Sequence, residues 1–280
     1  MPDRKLAGKV ALITGAARGQ GRAHAVALAA AGADIIAVDL LEQVASVPYQ
    51  MATQDDLDET VRQVEALDRR IIARKADVRD AAALASAVND GVVQLGRLDI
   101  VLANAGIVSY APIRELTAEM WRDMIDIDLT GVFNTVKAAL PHLDAHGQGG
   151  SIVITSSTAG TKGTPNLAHY ASAKHGVVGL MKTLANELAP NRIRVNTVHP
   201  TSVDNDMANN VATYGLMVPG KSPSEVTRDD ALPVFQSINA LPVPLIESQD
   251  VSNAILFLVS DDARYVTGVQ FPIDAGATNK

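Results

Sequence analysis

The sequence predicts an α/β protein with one doubly wound, mainly parallel sheet that is flanked by helices on both faces. Seven short apolar runs alternate with stretches of helix length, a pattern typical of parallel strands joined by helices. The runs are apolar almost throughout rather than at every second residue, as expected for strands buried on both faces. They cover residues 10–13, 34–38, 71–73, 100–103, 152–154, 193–198 and 269–273.

Length and composition favour a single globular domain over residues 1–280. The 280 residues are 47% hydrophobic and 20% charged, which is enough for a sizeable core, and no linker divides them. A net charge of -7 opposes binding to nucleic acid or to an anionic membrane surface. The absence of cysteine excludes disulfides, thiol catalysis and thiolate metal sites. Without a signal-peptide pattern or a membrane-length apolar run, we expect a cytoplasmic protein.

A glycine-rich turn directly follows the first predicted strand. In VALITGAARGQGRAHAVALAAAG, Gly15 permits a tight turn, while Gly19 and Gly21 let the backbone approach a bound pyrophosphate. The amides and dipole at the start of the next helix favour that negative charge. Glycines also serve ordinary turns, but this position between strand and helix favours dinucleotide binding. Arg18 and Gln20 lie between these glycines and belong to the expected cofactor site.

Asp39 ends the second predicted strand and predicts NAD rather than NADP. A carboxylate at this position accepts hydrogen bonds from the ribose hydroxyls of the adenosine and repels a 2′-phosphate. The next residues, Leu40 and Leu41, provide no arginine that could hold this phosphate. The alternative is a solvated carboxylate at a strand end that contacts no ligand.

Ser157, Tyr170 and Lys174 are the candidate catalytic residues. Tyr170 and Lys174 lie at i and i+4 on a predicted helix and share one face, while Ser157 ends a predicted strand. An ammonium near a phenol lowers the phenol pKa from about 10, which makes the tyrosine usable as an acid or base. A serine hydroxyl can hold a substrate oxygen where charge develops. On spacing alone, Tyr170 and Lys174 could equally be exposed helix residues.

Four motifs in chain order resemble those of the short-chain dehydrogenase/reductase family. They are Thr14-Gly15-x-x-x-Gly19-x-Gly21, Asn104-Ala105-Gly106, Ser157 and Tyr170-x-x-x-Lys174. The resemblance covers nearly the whole chain and implies one Rossmann-like domain with a seven-stranded sheet, NAD as cofactor, and assembly as a homotetramer or dimer. It implies an alcohol dehydrogenase or ketoreductase that acts by hydride transfer.

The resemblance also assigns roles to single residues. It makes Tyr170 the catalytic acid or base. Lys174 is implied to tune the pKa of Tyr170 and to bind the nicotinamide ribose. Ser157, rather than Ser156, is implied to be the catalytic serine of the family. Further cofactor contacts are implied at Asp39 and Leu40, at Asp77 and Val78 near the adenine, at Asn104, Ala105 and Gly106, and at Pro200, Thr201 and Val203 near the nicotinamide.

Two departures narrow the resemblance to a subgroup. Where the family usually continues the sixth strand with Pro-Gly, this chain has Pro200-Thr201, and an insertion at about 42–55 follows Asp39. Both features are similar to actinobacterial members related to carveol dehydrogenase, which are associated with tightly held NAD and with the redox peptide cofactor mycofactocin. Because the insertion starts beside the carboxylate expected on the adenosine ribose, we interpret it as a flap over that half of NAD. The alternatives are a disordered surface loop or a subunit contact.

Asp128 is a third departure. The family commonly has an asparagine there that helps to hold a water in a proton relay through the lysine. An ionised carboxylate donates no hydrogen bond, and its charge near Tyr170 would raise the phenol pKa. We expect either that Asp128 pairs with Lys174 in an altered but working relay, with a different pH optimum, or that it lies behind the catalytic residues.

Residues 204–248 predict a lid over the substrate. Five prolines make this segment too long and irregular for a plain connection. Its apolar residues suggest a hydrophobic alcohol or ketone of terpenoid or alicyclic type. The alternative is that they only pack the lid against the body or one subunit against another. These residues are Met207, Tyr214, Leu216, Met217, Leu232 and Phe235. His169 is expected either to touch the substrate or to be exposed. His142 and His146 have no third ligand nearby, so no metal site is expected. A non-catalytic NAD-binding sensor remains the alternative function.

Overall fold

The seven predicted strands form one parallel sheet in a computed structural model that describes residues 4–222 and 225–280. The strand order is β3-β2-β1-β4-β5-β6-β7. The strands are β1 (Val10–Thr14), β2 (Asp34–Asp39), β3 (Ile71–Lys75), β4 (Ile100–Ala103), β5 (Gly150–Thr155), β6 (Ile193–Pro200) and β7 (Gln270–Ile273). Pro223, one of the five prolines of the predicted lid, lies outside the described residues.

The order of the strands places a functional site at their carboxyl ends. β1 lies between β2 and β4, with Leu12 in register with Ile36 on one side and with Val101 on the other. The chain therefore winds outward in both directions from β1, and the loops after β1 and β4 leave a crevice between them. In doubly wound sheets, ligands bind in this crevice.

The described residues also form nine α-helices, together with short 3₁₀ and π segments. They are α1 (Gly19–Ala30), α2 (Gln54–Glu65), α3 (Ala81–Leu95), α4 (Ala118–Ile125), α5 (Gly131–Ala145), α6 (Ala168–Glu187), α7 (Val211–Met217), α8 (Arg228–Ile238) and α9 (Ser248–Val259). Among these residues, none of the helices has the length and apolar character needed to cross a membrane.

The core consists of one apolar cluster on each face of the sheet. On one face, α3, α5 and α6 contribute buried residues such as Val88, Val136 and Val177. On the other face, α1 and α9 contribute residues such as Leu28 and Ile255. Burial of both faces explains why the strand sequences are apolar without alternation.

The predicted strand positions are confirmed, with differences only at the ends. β1, β2 and β6 each continue beyond the apolar run, to Thr14, Asp39 and Pro200. These added residues pair within the sheet although they are polar or proline, because their neighbours in the ladder fix the backbone. The result is that polar side chains stand at the carboxyl edge of the sheet.

Candidate active site

The glycine turn between β1 and α1 is closely packed. Gly15 and Gly19 have φ values of +67° and +55°, in the left-handed region that favours glycine. A Cβ on Gly21 would lie 1.9 Å from the carbonyl oxygen of Gly15, and one on Gly15 would lie 2.9 Å from Cα of Ala105. The turn therefore accepts no side chain at these positions, and the amides at the start of α1 stay open toward the crevice.

Asn104 and Thr14 hold the loop after β4 against this turn. The Asn104 side-chain amide donates to the carbonyl oxygen of Thr14 at 3.1 Å. The Thr14 hydroxyl oxygen in return accepts from the backbone amides of Asn104 and Ala105, each at 3.2 Å. Asn104 thus fixes the width of the crevice between the first and fourth strands.

Asp39 is held in place by the same turn. Its Oδ2 accepts from the Ala17 backbone amide at 2.9 Å. Burial raises the pKa of Asp39, while the surrounding amides and the nearby Arg18 oppose this rise. No arginine follows Asp39 directly in the chain, yet folding brings Arg18 close to it. Arg18 is engaged elsewhere, because its guanidinium bonds to the Gln50 carbonyl oxygen and lies 3.0 Å from Asp206 Oδ2.

A first cavity extends along the glycine turn. Its empty space is about 910 Å³ including the open mouth. Its lining includes most of the residues predicted to bind the cofactor, namely Gly15, Arg18, Gly19, Gln20, Gly21, Asp39, Leu40, Asp77, Val78, Asn104, Ala105 and Gly106. The Asp77 carboxylate is paired with Arg79 at 2.7 Å, and the Val78 carbonyl accepts from the Asn134 side chain at 2.8 Å.

The insertion at 42–55 forms one wall of the first cavity. Tyr49, Met51 and Ala52 line it. The Gln43 side-chain amide braces the segment by donating to the carbonyl oxygens of Val44, Val47 and Tyr49 at 3.1–3.2 Å. Val44, Val47 and Tyr49 are buried, so the segment is neither disordered nor loosely attached. We call residues 42–55 the flap.

The flap continues into α2, and it also contacts Val108 in the loop after β4. Thr53 caps α2 in a capping box with Asp56. The Tyr49 hydroxyl oxygen accepts from the Val108 backbone amide at 3.2 Å. Val108 lines a second cavity, so the flap spans from the adenosine end expected from the sequence to the neighbouring site.

This second cavity contains the predicted catalytic residues. Its empty space is about 1460 Å³ including the mouth. Ser157, Tyr170, Lys174 and Asp128 line it, as do Pro200, Thr201 and Val203. The second cavity shares five lining residues with the first, so the two form one continuous groove: Gln20, Asn104, Gly106, Asn205 and Met207.

Ser157, Tyr170 and Lys174 come together at the start of α6. Ser157 follows β5 and makes a side-chain hydrogen bond with Tyr170. Lys174 Nζ lies 5.5 Å from the centre of the Tyr170 ring and donates to the Thr155 carbonyl oxygen at 3.0 Å. Ser156 instead turns its hydroxyl to the backbone carbonyl of Lys174, at 3.0 Å. Ser157 is therefore the serine that contacts the phenol.

Asp128 pairs directly with Lys174, the first of the two arrangements expected. It lies in a π-helical segment, Asp126–Thr130, that joins α4 to α5. Its Oδ2 is 3.0 Å from Lys174 Nζ, and its Oδ1 accepts from the Ile107 backbone amide at 2.9 Å. Both side chains of the pair are almost fully buried. The extra residue of the π turn is a feature often found at functional sites.

The pKa values of this cluster differ from the sequence expectation. Burial raises the pKa of Tyr170, Lys174 opposes that rise, and Asp128 adds to it. The expected lowering by Lys174 is present, but burial outweighs it. Asp128 raises the pKa of Lys174 against the effect of burial, which keeps the ammonium charged. Burial also raises the pKa of Asp128 itself.

Of the six apolar residues named for the predicted lid, four line the second cavity and two do not. Residues 204–248 contain α7 and α8, and Met207, Leu216, Met217 and Phe235 line the second cavity. Tyr214 and Leu232 do not line it. The Tyr214 hydroxyl donates to Asn209 at 3.2 Å, because the short α7 turns that face away from the cavity.

His169 is neither exposed nor part of the cavity wall. It is fully buried, and its Nε2 lies 2.9 Å from the Ser109 hydroxyl. Burial lowers its pKa. The expectation of exposure is therefore wrong, and His169 is not among the described residues that line the second cavity.

A model of the family described as short chain dehydrogenase matches residues 9–214, which is most of the chain. The chain belongs to this family. A (-)-trans-carveol dehydrogenase from Rhodococcus erythropolis is 53% identical over 99% of both chains. A crystal structure of carveol dehydrogenase from Mycobacterium avium in complex with NAD is 52% identical, with a TM-score of 0.96 and 99% of each chain covered. A short chain dehydrogenase from Mycobacterium paratuberculosis bound to NAD is 45% identical, with a TM-score of 0.90, over 99% of this chain and 100% of that chain.

Sequence reasoning missed several residues of this short-chain dehydrogenase. Tyr110 lines the second cavity, and its hydroxyl lies 3.1 Å from that of Thr213 in the lid. Lys162 lines the same cavity and donates to the Ala277 carbonyl oxygen at 2.6 Å. No local pattern identifies them, although the position of Lys162 in the loop that carries Ser157 was a usable signal.

Proposed function

We propose that this short-chain dehydrogenase interconverts a hydrophobic secondary alcohol and its ketone, with NAD as cofactor. The observation that carries the proposal is the cluster of Ser157, Tyr170 and Lys174 in a groove continuous with the glycine turn. Hydride transfer between an alcohol and NAD requires a bound dinucleotide and an acid–base group at its nicotinamide end, and the groove is large enough for both.

The first cavity fits NAD in shape and chemistry. The packed glycine turn leaves room for backbone amides to approach a pyrophosphate, and α1 begins there. Asp39 lies at the end of β2, where its carboxylate can accept from ribose hydroxyls and would repel a 2′-phosphate. Bound NAD would accept or supply the hydride at its nicotinamide ring.

The side chains of the second cavity have separate roles in acid–base catalysis. Ser157 and the Tyr170 hydroxyl hold the substrate oxygen between them. During alcohol oxidation the Tyr170 phenolate takes the hydroxyl proton, and during ketone reduction the Tyr170 phenol donates a proton to the carbonyl oxygen. Lys174 stabilises the phenolate, and Asp128 keeps Lys174 charged and in place.

The substrate is proposed to be an alicyclic or terpenoid alcohol or ketone. Met207, Met217 and Phe235 give the second cavity an apolar cover. Two of the similar proteins carry the name carveol dehydrogenase, and carveol is a cyclic terpene alcohol. These observations support a compact apolar ring as the body of the substrate.

The test is oxidation or reduction of a panel of cyclic and terpenoid alcohols and ketones. A single turnover is followed by absorbance of reduced nicotinamide, and continuous turnover is measured with an artificial electron acceptor present. We expect oxidation of cyclic secondary alcohols with NAD, and at least a hundredfold loss of rate in Tyr170→Phe. Ser172→Ala is the matched control, because this serine is exposed on the same helix and its hydroxyl donates to the Ala168 carbonyl oxygen. Bound NAD without turnover in either direction would instead identify a non-catalytic NAD-binding sensor.

The flap is proposed to slow release of NAD. Arg18 bonds to Gln50 of the flap and to Asp206 at the start of the lid, across the mouth of the first cavity. Because Asp206 is largely exposed, that ion pair is worth little, and the bond to Gln50 carries most of the effect. We expect Arg18→Ala to raise the NAD dissociation rate by roughly fivefold.

A stopped-flow chase with excess unlabelled cofactor measures this rate. Arg62→Ala is the control, since Arg62 is exposed on α2 and pairs with Glu59 on the same helix. An unchanged dissociation rate in Arg18→Ala would refute the proposed role of the bonds from Arg18 to Gln50 and Asp206.

A tightly held NAD requires an external redox partner, and mycofactocin is proposed as that partner. The support is the flap together with the resemblance to the mycofactocin-associated subgroup. If the proposal holds, substrate oxidation with bound NAD stops after one turnover and resumes when an artificial electron acceptor is added. Continuous turnover with free NAD alone would contradict it.

Assembly as a homotetramer is also proposed. The side chains of Trp121 on α4 and Phe133 on α5 are 40% and 47% exposed in the single chain. Large exposed apolar residues on neighbouring helices are typical of subunit interfaces. Light scattering coupled to size-exclusion chromatography tests it, and a monomeric mass would refute it.

A further inference from the structure

Lys162 places a positive charge in the wall of the second cavity without a carboxylate beside it. Of the described residues that line this cavity, three carry charge, namely Asp128, Lys162 and Lys174. Asp128 and Lys174 pair with each other at 3.0 Å. No carboxylate of the described residues lies within ion-pair distance of Lys162, so its charge is not neutralised from inside the cavity.

The position of the Lys162 side chain is fixed by the end of the chain. Its Nζ donates to the Ala277 carbonyl oxygen at 2.6 Å, and Ala277 is buried. Asp274 holds the turn around Ala277, because its carboxylate accepts from the backbone amides of Gly276 and Thr278, each at 2.9 Å. An ammonium has three donors, so two remain after the bond to Ala277.

The second cavity has apolar lining residues as well as polar ones. Ser157 and Tyr170 occupy one part of the cavity, and Lys162 belongs to the loop between them. Met217, Phe235 and other apolar lid residues line the same cavity. The second cavity thus combines a hydroxyl-binding region, an apolar surface and a separate cation.

We infer that the second cavity accepts cyclic alcohols or ketones that carry a carboxylate, and that Lys162 binds this carboxylate. The inference rests on the proposed alcohol dehydrogenase activity and narrows its substrate class. An unpaired ammonium in a partly apolar cavity attracts an anion more strongly than it would in water, because the lower dielectric strengthens the interaction. A neutral substrate would leave two Lys162 donors without a partner of opposite charge.

Two substrates of the same shape test the inference: 4-hydroxycyclohexanecarboxylate and its uncharged carboxamide. The wild-type enzyme is expected to prefer the carboxylate by about tenfold in kcat/KM, mainly through a lower KM. In Lys162→Met this preference should fall to about one, and in Lys162→Arg most of it should return. Lys182→Met is the control, since Lys182 is exposed on α6, and its preference should equal that of the wild type.

Equal kcat/KM values for the two substrates in the wild type would overturn the inference, as would an unchanged preference in Lys162→Met. If Lys162→Met does not fold, the inference is tested by binding calorimetry on the wild-type enzyme. Cyclohexanecarboxylate, which has no hydroxyl to oxidise, should then bind about tenfold more tightly than cyclohexanecarboxamide, and equal affinities overturn the inference. Turnover of cyclohexanol without a carboxylate preference refutes only the role of Lys162, whereas no turnover of any alcohol refutes the proposed function.

Discussion

Replacing Asp128 with asparagine tests whether this buried carboxylate sets the protonation of Tyr170. Asparagine has nearly the same shape, and its side-chain oxygen can still accept a hydrogen bond from Ile107 or Lys174. The substitution therefore removes a negative charge with little change in packing. Because that charge raises the pKa of Tyr170, its removal should lower this pKa.

The expected size of the effect follows from two distances. Lys174 Nζ is 3.0 Å from Asp128 Oδ2 and 5.5 Å from the centre of the Tyr170 ring, so the carboxylate lies within about 8.5 Å of the ring. With an effective dielectric constant of about 20, a unit charge at this range contributes roughly 2 kcal/mol, or somewhat more than one pH unit. Movement of Lys174 after the substitution offsets part of this, so we expect a shift of about one pH unit.

The assay is the pH dependence of kcat/KM for alcohol oxidation. Oxidation requires the phenolate, so its rate rises as Tyr170 loses its proton, and this rise should occur about one pH unit lower in Asp128→Asn. Asp126→Asn is the matched control, because Asp126 is exposed in the same π segment. A profile that stays in place, or moves to higher pH, in a variant with a normal thermal transition would refute the reasoning.

Three further substitutions have distinct expected outcomes. Asp39→Ala should reduce the preference for NAD over NADP by at least about tenfold in kcat/KM, through loss of charge-assisted hydrogen bonds to the ribose; an unchanged ratio would exclude that contact. Gly21→Ala should abolish NAD binding in calorimetry, since its Cβ would lie 1.9 Å from the Gly15 carbonyl oxygen; normal affinity would show that the turn can relax. Tyr49→Phe removes the hydroxyl that accepts from the Val108 backbone amide. The free energy of unfolding, measured by urea titration, should therefore fall by about 1–3 kcal/mol. An unchanged value would mean that water replaces the hydroxyl.

The parts of the site that the sequence predicted are those encoded by local patterns. Strand, glycine turn and helix follow one another directly at Gly15–Gly21, and one helical turn brings Tyr170 and Lys174 to the same face. Asp39 is located by the end of a strand. In each case the spacing along the chain is short enough to determine the spacing in space.

The parts that the sequence could not predict depend on contacts between distant segments. Lys162 becomes a fixed wall residue only because Ala277, near the end of the chain, accepts its hydrogen bond. Folding brings Arg18 close to Asp39, while its guanidinium bonds to Gln50 and Asp206. The net pKa of Tyr170 was also beyond reach, since it depends on how deeply the phenol is buried and not on the spacing to Lys174.

The loop after β4 explains how the flap can affect catalysis as well as cofactor release. Two successive backbone amides of this loop, those of Ile107 and Val108, donate to Asp128 and to the Tyr49 hydroxyl. Asp128 holds Lys174, so a movement of the flap at Tyr49 acts on a segment that is bonded directly to the catalytic pair. Since the Tyr49 side chain is also buried against the first cavity, opening the flap to release NAD would disturb Lys174 at the same time. If the flap retains NAD as proposed, cofactor retention and the protonation of Tyr170 are coupled through this one short loop, because the loop bonds to both Tyr49 and Asp128.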